Sequence, residues 1–118
     1  MHELSLSGAI VDTVVKHAAG RRVEVVNLTV GALRQVVPDS LEFYFEIVAR
    51  GTVCEGARLE QALLAARAWC EGCEREWEVE TLLFRCPRCG EPPAEIVSGN
   101  EFEVESIEVE EAACIAPR

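Results

Sequence analysis

An α+β fold is predicted for this chain of 118 residues, with a small core of helices and strands and a four-cysteine metal module inserted between two strands. Three observations predict it. Apolar residues recur at helical spacing in two stretches of the N-terminal half, stretches rich in β-branched or alternating residues stand at 22–31 and 101–110, and two Cys-x-x-Cys pairs fall between them.

Over 4–19, Leu6, Ile10, Val14 and Ala18 lie on one helical stripe with Val11 and Val15 beside it, the pattern of an amphipathic helix. Gly20 ends the helix, and His17 in its last turn reads as a surface residue suited to the helix dipole. Over 22–31, Val23 and Val25 share one phase and Val26, Leu28 and Val30 the other, as in a strand that is bulged or covered on both faces. Pro38, Asp39 and Ser40 open a second helix, with Glu42 three residues after Asp39 as in a capping box. Leu41, Tyr44, Phe45 and Val48 form its buried stripe, and Gly51 and Thr52 end it. The segment 57–66 favours helix by propensity, yet it is short and leads straight into the metal module. After Ser98, Gly99 and Asn100, acidic and apolar residues alternate through Phe102, Val104, Ile107 and Val109, giving a half-buried last strand. The tail 112–118 is expected to fray.

Cys70/Cys73 and Cys86/Cys89 are separated by twelve residues, so two tight turns can bring four sulfurs to one ion. A tetrahedral set of thiolates selects Zn(II) over hard cations. In the second pair Pro87 presets the turn, and Gly90 lets the backbone pass through positive φ. Iron at the same ligands and two disulfides are the alternatives. A dithiol redox site needs only one such pair and leaves the other unexplained. A site closed by four sulfurs has no position for substrate, so the role expected of it is structural. A short hairpin is expected over 77–84, and Trp69 and Trp77 read as packing for the module.

The charge is −10, with 11 basic residues against 21 acidic, and falls to about −12 once four thiolates hold Zn(II). Nucleic acid is excluded as a partner on that balance, because such binding draws on Lys and Arg to neutralise phosphates. No apolar run approaches the ~20 residues of a membrane helix, and no basic, apolar leader opens the chain. A cytoplasmic protein with reduced thiols is expected. No nucleophile, base and orienting acid stand in recognisable spacing, and no glycine-rich phosphate loop follows a strand, so catalysis is not expected.

The chain begins Met1-His2-Glu3. The α-amine of Met1, the deprotonated amide of His2 and its Nδ1 can close a five-membered and a six-membered ring around one metal, with the Glu3 amide or carboxylate as a fourth donor. Planar nitrogen donors suit Ni(II) or Cu(II) and not tetrahedral Zn(II). Amide and imidazole must both lose protons, so occupancy is expected to fall in mild acid. A histidine at position two is more often a solvated terminal residue, and context decides between the two readings.

Over almost its whole length the chain resembles the hydrogenase nickel-incorporation protein HypA, a metallochaperone family. The matching stretches are Met1-His2-Glu3-Leu4-Ser5, Val30-Gly31-Ala32-Leu33, Pro38-Asp39-Ser40-Leu41-Glu42-Phe43, the four cysteines, Gly99-Asn100-Glu101 and Ile107-Glu108-Val109. The resemblance implies a small mixed sheet joining the strand near Val23 to Val30, the segment 57–66 and the last strand, with two helices on one face. It implies a discontinuous nickel domain, 1–66 and 97–118, and a zinc-ribbon domain, 67–96. Nickel would be held by Met1, His2 and Glu3, and zinc by Cys70, Cys73, Cys86 and Cys89. The implied partners are a HypB-type GTPase, the [NiFe]-hydrogenase large subunit and, in some organisms, urease maturation proteins. Some members carry a further histidine near the zinc module, whereas this chain has only His2 and His17. Cys54 is expected in the core and Cys114 exposed in the tail, neither as a ligand. A zinc-ribbon adaptor that binds no nickel is the rival reading, followed by a dithiol oxidoreductase.

Overall fold

The structure, a computed structural model, describes residues 2–79 and 85–110 and, at His2, the backbone alone. Its elements in chain order are α1 (His2–Ala18), β1 (Val23–Gly31), a 3-10 turn (Ala32–Arg34), α2 (Pro38–Val48), β2 (Arg58–Leu64), β3 (Arg67–Cys70), β4 (Arg75–Glu78), β5 (Glu95–Ser98) and β6 (Phe102–Val109). Two three-stranded sheets result, ordered β2-β1-β6 and β4-β3-β5. The fold is α+β, two helices and two small sheets with a four-cysteine module, as the sequence predicts. The chain divides into two compact units, one of 1–29, 36–62 and 103–118 and one of 30–35 and 63–102.

In the first unit α1 and α2 pack on each other. Ile10, Val11, Val14 and Ala18 of α1 are buried with Leu41, Phe45 and Ala49 of α2, one stripe from each helix. Fully burying an aliphatic or aromatic side chain of this size contributes about 1.5–3 kcal/mol, so these stripes dominate the stability of the pair. Val23, Val25, Val26 and Leu28 are all buried, which explains why β1 shows apolar residues in both phases. At the two ends of the β1/β6 pair, Glu110 N–H donates to Arg22 O at 2.9 Å and Gly31 N–H to Glu101 O at 2.7 Å, so these strands run antiparallel. The chain leaves α1 through two left-handed residues, Ala19 and Gly20.

The start of α2 differs from expectation. Its N-cap is Val37, which makes no side-chain cap, and Pro38 takes the first helical position. Proline suits that position because its fixed φ is helical and its missing N–H would find no intrahelical partner. Asp39 is thereby moved one step inside the helix and caps nothing, so the expected capping box is absent. Its reciprocal half is supplied from α1: Glu3 Oε2 accepts the Val37 N–H at 3.2 Å.

The segment 57–66 forms β2 against its helical propensity, pairing beside β1. Cys54 is fully buried, and that burial pushes its thiol pKa up despite an opposing contact with Thr52.

In the second unit β3 is the central strand. It pairs antiparallel with β4, Ala68 opposite Trp77 and Cys70 opposite Arg75, and antiparallel with β5, Ala68 opposite Ile96. Ala66, Ala68 and Val79 are buried, with Leu33, Trp77 and Ile96 packed against them. The hairpin expected over 77–84 falls partly on 80–84, which lie outside the described residues, and the hairpin present is β3/β4, closed by the first cysteine turn. The tail 112–118, including Cys114, also lies outside the described residues.

Two of the stretches behind the family resemblance meet here. Gly31 and Leu33 bond to 99–101, with the Leu33 N–H donating to Gly99 O at 2.8 Å and Arg34 Nε to Asn100 O at 2.8 Å. A Cβ on Gly31 would collide with the backbone carbonyl of Gly99. Gly99 itself lies at φ +122°, where a Cβ would come within 2.8 Å of Ala66 Cα.

Candidate metal centre

Cys70 ends the central strand β3, and the next four residues turn back into β4, so the first cysteine pair sits on a hairpin fixed by strand pairing. The second pair sits on a turn closed by its own backbone: Gly90 N–H donates to Cys86 O at 2.8 Å and Cys86 N–H to Glu91 O at 2.9 Å. In both turns the residue after the second cysteine is left-handed, Glu74 at φ +52° and Gly90 at φ +76°. Glycine at position 90 signalled this in the sequence, whereas Glu74 gave no such signal.

The four Sγ atoms converge within 4.8 Å of one another. Across the turns, Cys70 Sγ and Cys89 Sγ are 3.6 Å apart and Cys86 Sγ and Cys73 Sγ 3.9 Å. A tetrahedron of sulfurs each ~2.3 Å from zinc has edges of ~3.8 Å, which these two separations match, so the cluster could hold that ion. A disulfide needs ~2.05 Å, and all four thiols are free, so the disulfide alternative is not the arrangement here. Backbone donors point at the sulfurs: Cys73 N–H lies 3.4 Å from Cys70 Sγ and Arg88 N–H 3.4 Å from Cys86 Sγ. Hydrogen bonds from the Cys89 and Arg88 amides bring the Cys86 thiol down to about 6, which favours the thiolate a metal requires. Cys73, hydrogen-bonded to Cys89 and partly desolvated, is pushed up to about 12, as expected when four sulfurs crowd without a cation.

The strained position at 74 is testable. A left-handed non-glycine residue costs about 1–2 kcal/mol, and glycine recovers part of that against its greater chain entropy. Glu74→Gly is therefore expected to raise the stability of the metal-loaded protein by about 0.5–1 kcal/mol in a denaturant titration. A drop on that substitution would show that Glu74 makes a contact worth more than its strain.

His2 and Glu3 open α1, and Met1 lies outside the described residues together with the His2 side chain. Glu3 is half-buried and holds Val37. His17 is exposed, its Nδ1 2.9 Å from Thr13 O, a local helical contact. Val37 is the residue that sequence reasoning missed, because a backbone donor leaves no mark in a side-chain pattern.

The family model for "Hydrogenase/urease nickel incorporation, metallochaperone, hypA" matches residues 1–109 of the chain. The hydrogenase maturation factor HypA of Geobacter sp. (strain M21) is 42% identical over 110 residues, covering 93% of this chain and all of that protein. Its counterpart from Desulfitobacterium hafniense (strain DSM 10664 / DCB-2) is 39% identical over 114 residues, covering 94% and all of that protein. Among solved structures, the solution structure of the Ni metallochaperone HypA from Helicobacter pylori matches with a TM-score of 0.67 at 23% identity, over 92% of this chain and 97% of that one. At that identity the likeness establishes the fold.

Proposed function

Because the chain belongs to the HypA family of hydrogenase and urease nickel-incorporation metallochaperones, we propose that it carries Ni(II) at Met1, His2 and Glu3 and releases it during maturation of a [NiFe]-hydrogenase. Zn(II) at Cys70, Cys73, Cys86 and Cys89 serves as a structural ion. The nickel role belongs to the discontinuous domain 1–66 and 97–118, and the zinc role to 67–96. The protein is a carrier and not an enzyme, working in the cytoplasm with a HypB-type GTPase that supplies nucleotide energy and with the hydrogenase large subunit; urease maturation proteins are partners of the same kind. Among the described residues, no helix is long and apolar enough to cross a membrane.

The observation that carries this reading is where α1 begins. With His2 as the first helical residue, its amide precedes any carbonyl that the helix ladder could offer it. Ni(II) can therefore replace the His2 amide proton without breaking a helical hydrogen bond. The anionic nitrogen so formed stands at the positive end of the helix dipole. One Glu3 carboxylate oxygen holds the Val37 N–H, and Glu3 supplies the fourth planar donor.

Nickel titration of the zinc-loaded protein tests the proposal. Losing a group that only orients a metal ligand costs about 10–100-fold in affinity, so losing the ligand itself in His2→Ala is expected to cost more. A one-residue extension ahead of Met1 is expected to do the same by displacing the α-amine. Unchanged affinity in both variants would leave the adaptor reading standing.

A further inference from the structure

We propose that the groove between α2 and β2 docks a basic segment of a partner protein, one that inserts an apolar side chain flanked by lysine or arginine. The proposal is independent of nickel and rests on the shape and charge of the first unit alone. The groove encloses about 490 Å³. That is at the smaller end of the range for ligand sites and suits one or two side chains of a docked segment.

Its floor is apolar, with Phe45, Ala49, Cys54 and Leu59 buried beneath it. Phe43 lines it and remains 57% exposed, its ring set edge-on to Tyr44 at 5.2 Å. Around that floor stand the carboxylates of Glu24, Asp39, Glu42 and Glu46. The one cationic residue of the lining, Arg58, is paired with Glu60 at 2.6 Å.

This arrangement is unfavourable for the free protein. Glu42 and Glu46 are a like-charged pair one helical turn apart, an arrangement that destabilises α2. Glu46 also lies in the last turn of α2, where the dipole favours a cation, and that turn holds no basic residue. A partner cation beside Glu42 and Glu46 relieves both effects, and an apolar side chain between them covers Phe43.

Two other occupants fit less well. A lone metal ion is not indicated, because among the described residues only the four cysteines bring three or more ligand atoms within reach of one ion. A second copy of this chain would bring a further charge of −10 and be repelled.

The test uses isotope-labelled, zinc-loaded full-length protein and two synthetic peptides, Lys-Leu-Lys-Leu-Lys and Glu-Leu-Glu-Leu-Glu. The lysine peptide is expected to shift the amide resonances of Glu42, Phe43, Glu46 and Leu59, with affinity falling as salt is added. The glutamate peptide is expected to leave them in place. Phe43→Ser, at an exposed position, and the double variant Glu42→Lys/Glu46→Lys are each expected to weaken lysine-peptide binding about tenfold or more. Shifts that map elsewhere on the acidic surface, an equal response to both peptides, or a dimer in sedimentation that Phe43→Ser abolishes would each overturn the proposal.

Discussion

Replacing Cys70 by Ser, or stripping the metal with a strong chelator, is expected to unfold the β4-β3-β5 sheet. The reason is one of magnitude. Among the described residues, the buried apolar cluster around that sheet is Ala66, Ala68 and Val79, with Leu33, Trp77 and Ile96 only partly covered. Two alanines and a valine contribute a few kcal/mol at most, at about 25 cal/mol per Å² of buried apolar surface. A structural zinc site in a small peptide contributes on the order of 10–16 kcal/mol near neutral pH. Zinc bound at the four cysteines would therefore supply most of the free energy that holds β3, β4 and β5 together. Amide hydrogen exchange before and after chelation would check this, with protection lost at Ala68, Trp77 and Ile96. Retained protection at those amides would mean that strand pairing suffices without the ion.

Gly31→Ala is expected to destabilise the protein by about 3 kcal/mol or more, at the upper end of what overpacking costs. The new methyl meets the backbone carbonyl of Gly99, not a side chain that can turn aside, and Gly99 is held by the bond from Leu33 N–H. Gly99→Ala is expected to be comparably damaging, since it adds a left-handed φ to a close approach on Ala66. Gly8→Ala is the internal control. Nothing lies within 4 Å of a Cβ there, inside α1, so alanine is expected to gain about 1 kcal/mol from helix propensity. Thermal or denaturant unfolding of the three variants would settle the order, and a neutral Gly31→Ala would show that the Gly31–Gly99 approach is loose in solution.

The stretches that carry the family resemblance have a split origin in this fold. Val30-Gly31-Ala32-Leu33 and Gly99-Asn100-Glu101 are far apart in sequence, and the structure explains both by one contact of backbone against backbone. Met1-His2-Glu3 and the four cysteines have chemistry of their own, legible wherever they stand. The first kind of motif reports packing, and the second is read as candidate ligands.

Much of the fold was legible. The helices announced themselves by periodicity, because α1 and α2 each bury one stripe against a partner and leave the rest wet. β1 and β6 did so by β-branched residues and alternation. The zinc candidates were legible because thiolate spacing is a local property: a tight turn fixes two sulfurs regardless of what surrounds it. Two features ran against local signals. Over 57–66 the residues favour helix, and pairing beside β1 made them a strand. At α2, Asp39 and Glu42 had the spacing of a capping box, and Pro38 claimed the first helical position instead.

The sequence by itself determined the candidate ligands, the class of fold and the order of most of its elements, since each is written in residue type and spacing. Only the tertiary structure decided which backbone donor Glu3 holds, that Glu74 is strained, that two distant glycines touch, and that four acidic residues and an exposed phenylalanine line one groove. Those are relations between residues far apart in the chain or dihedral angles imposed by pairing, and no local pattern encodes either.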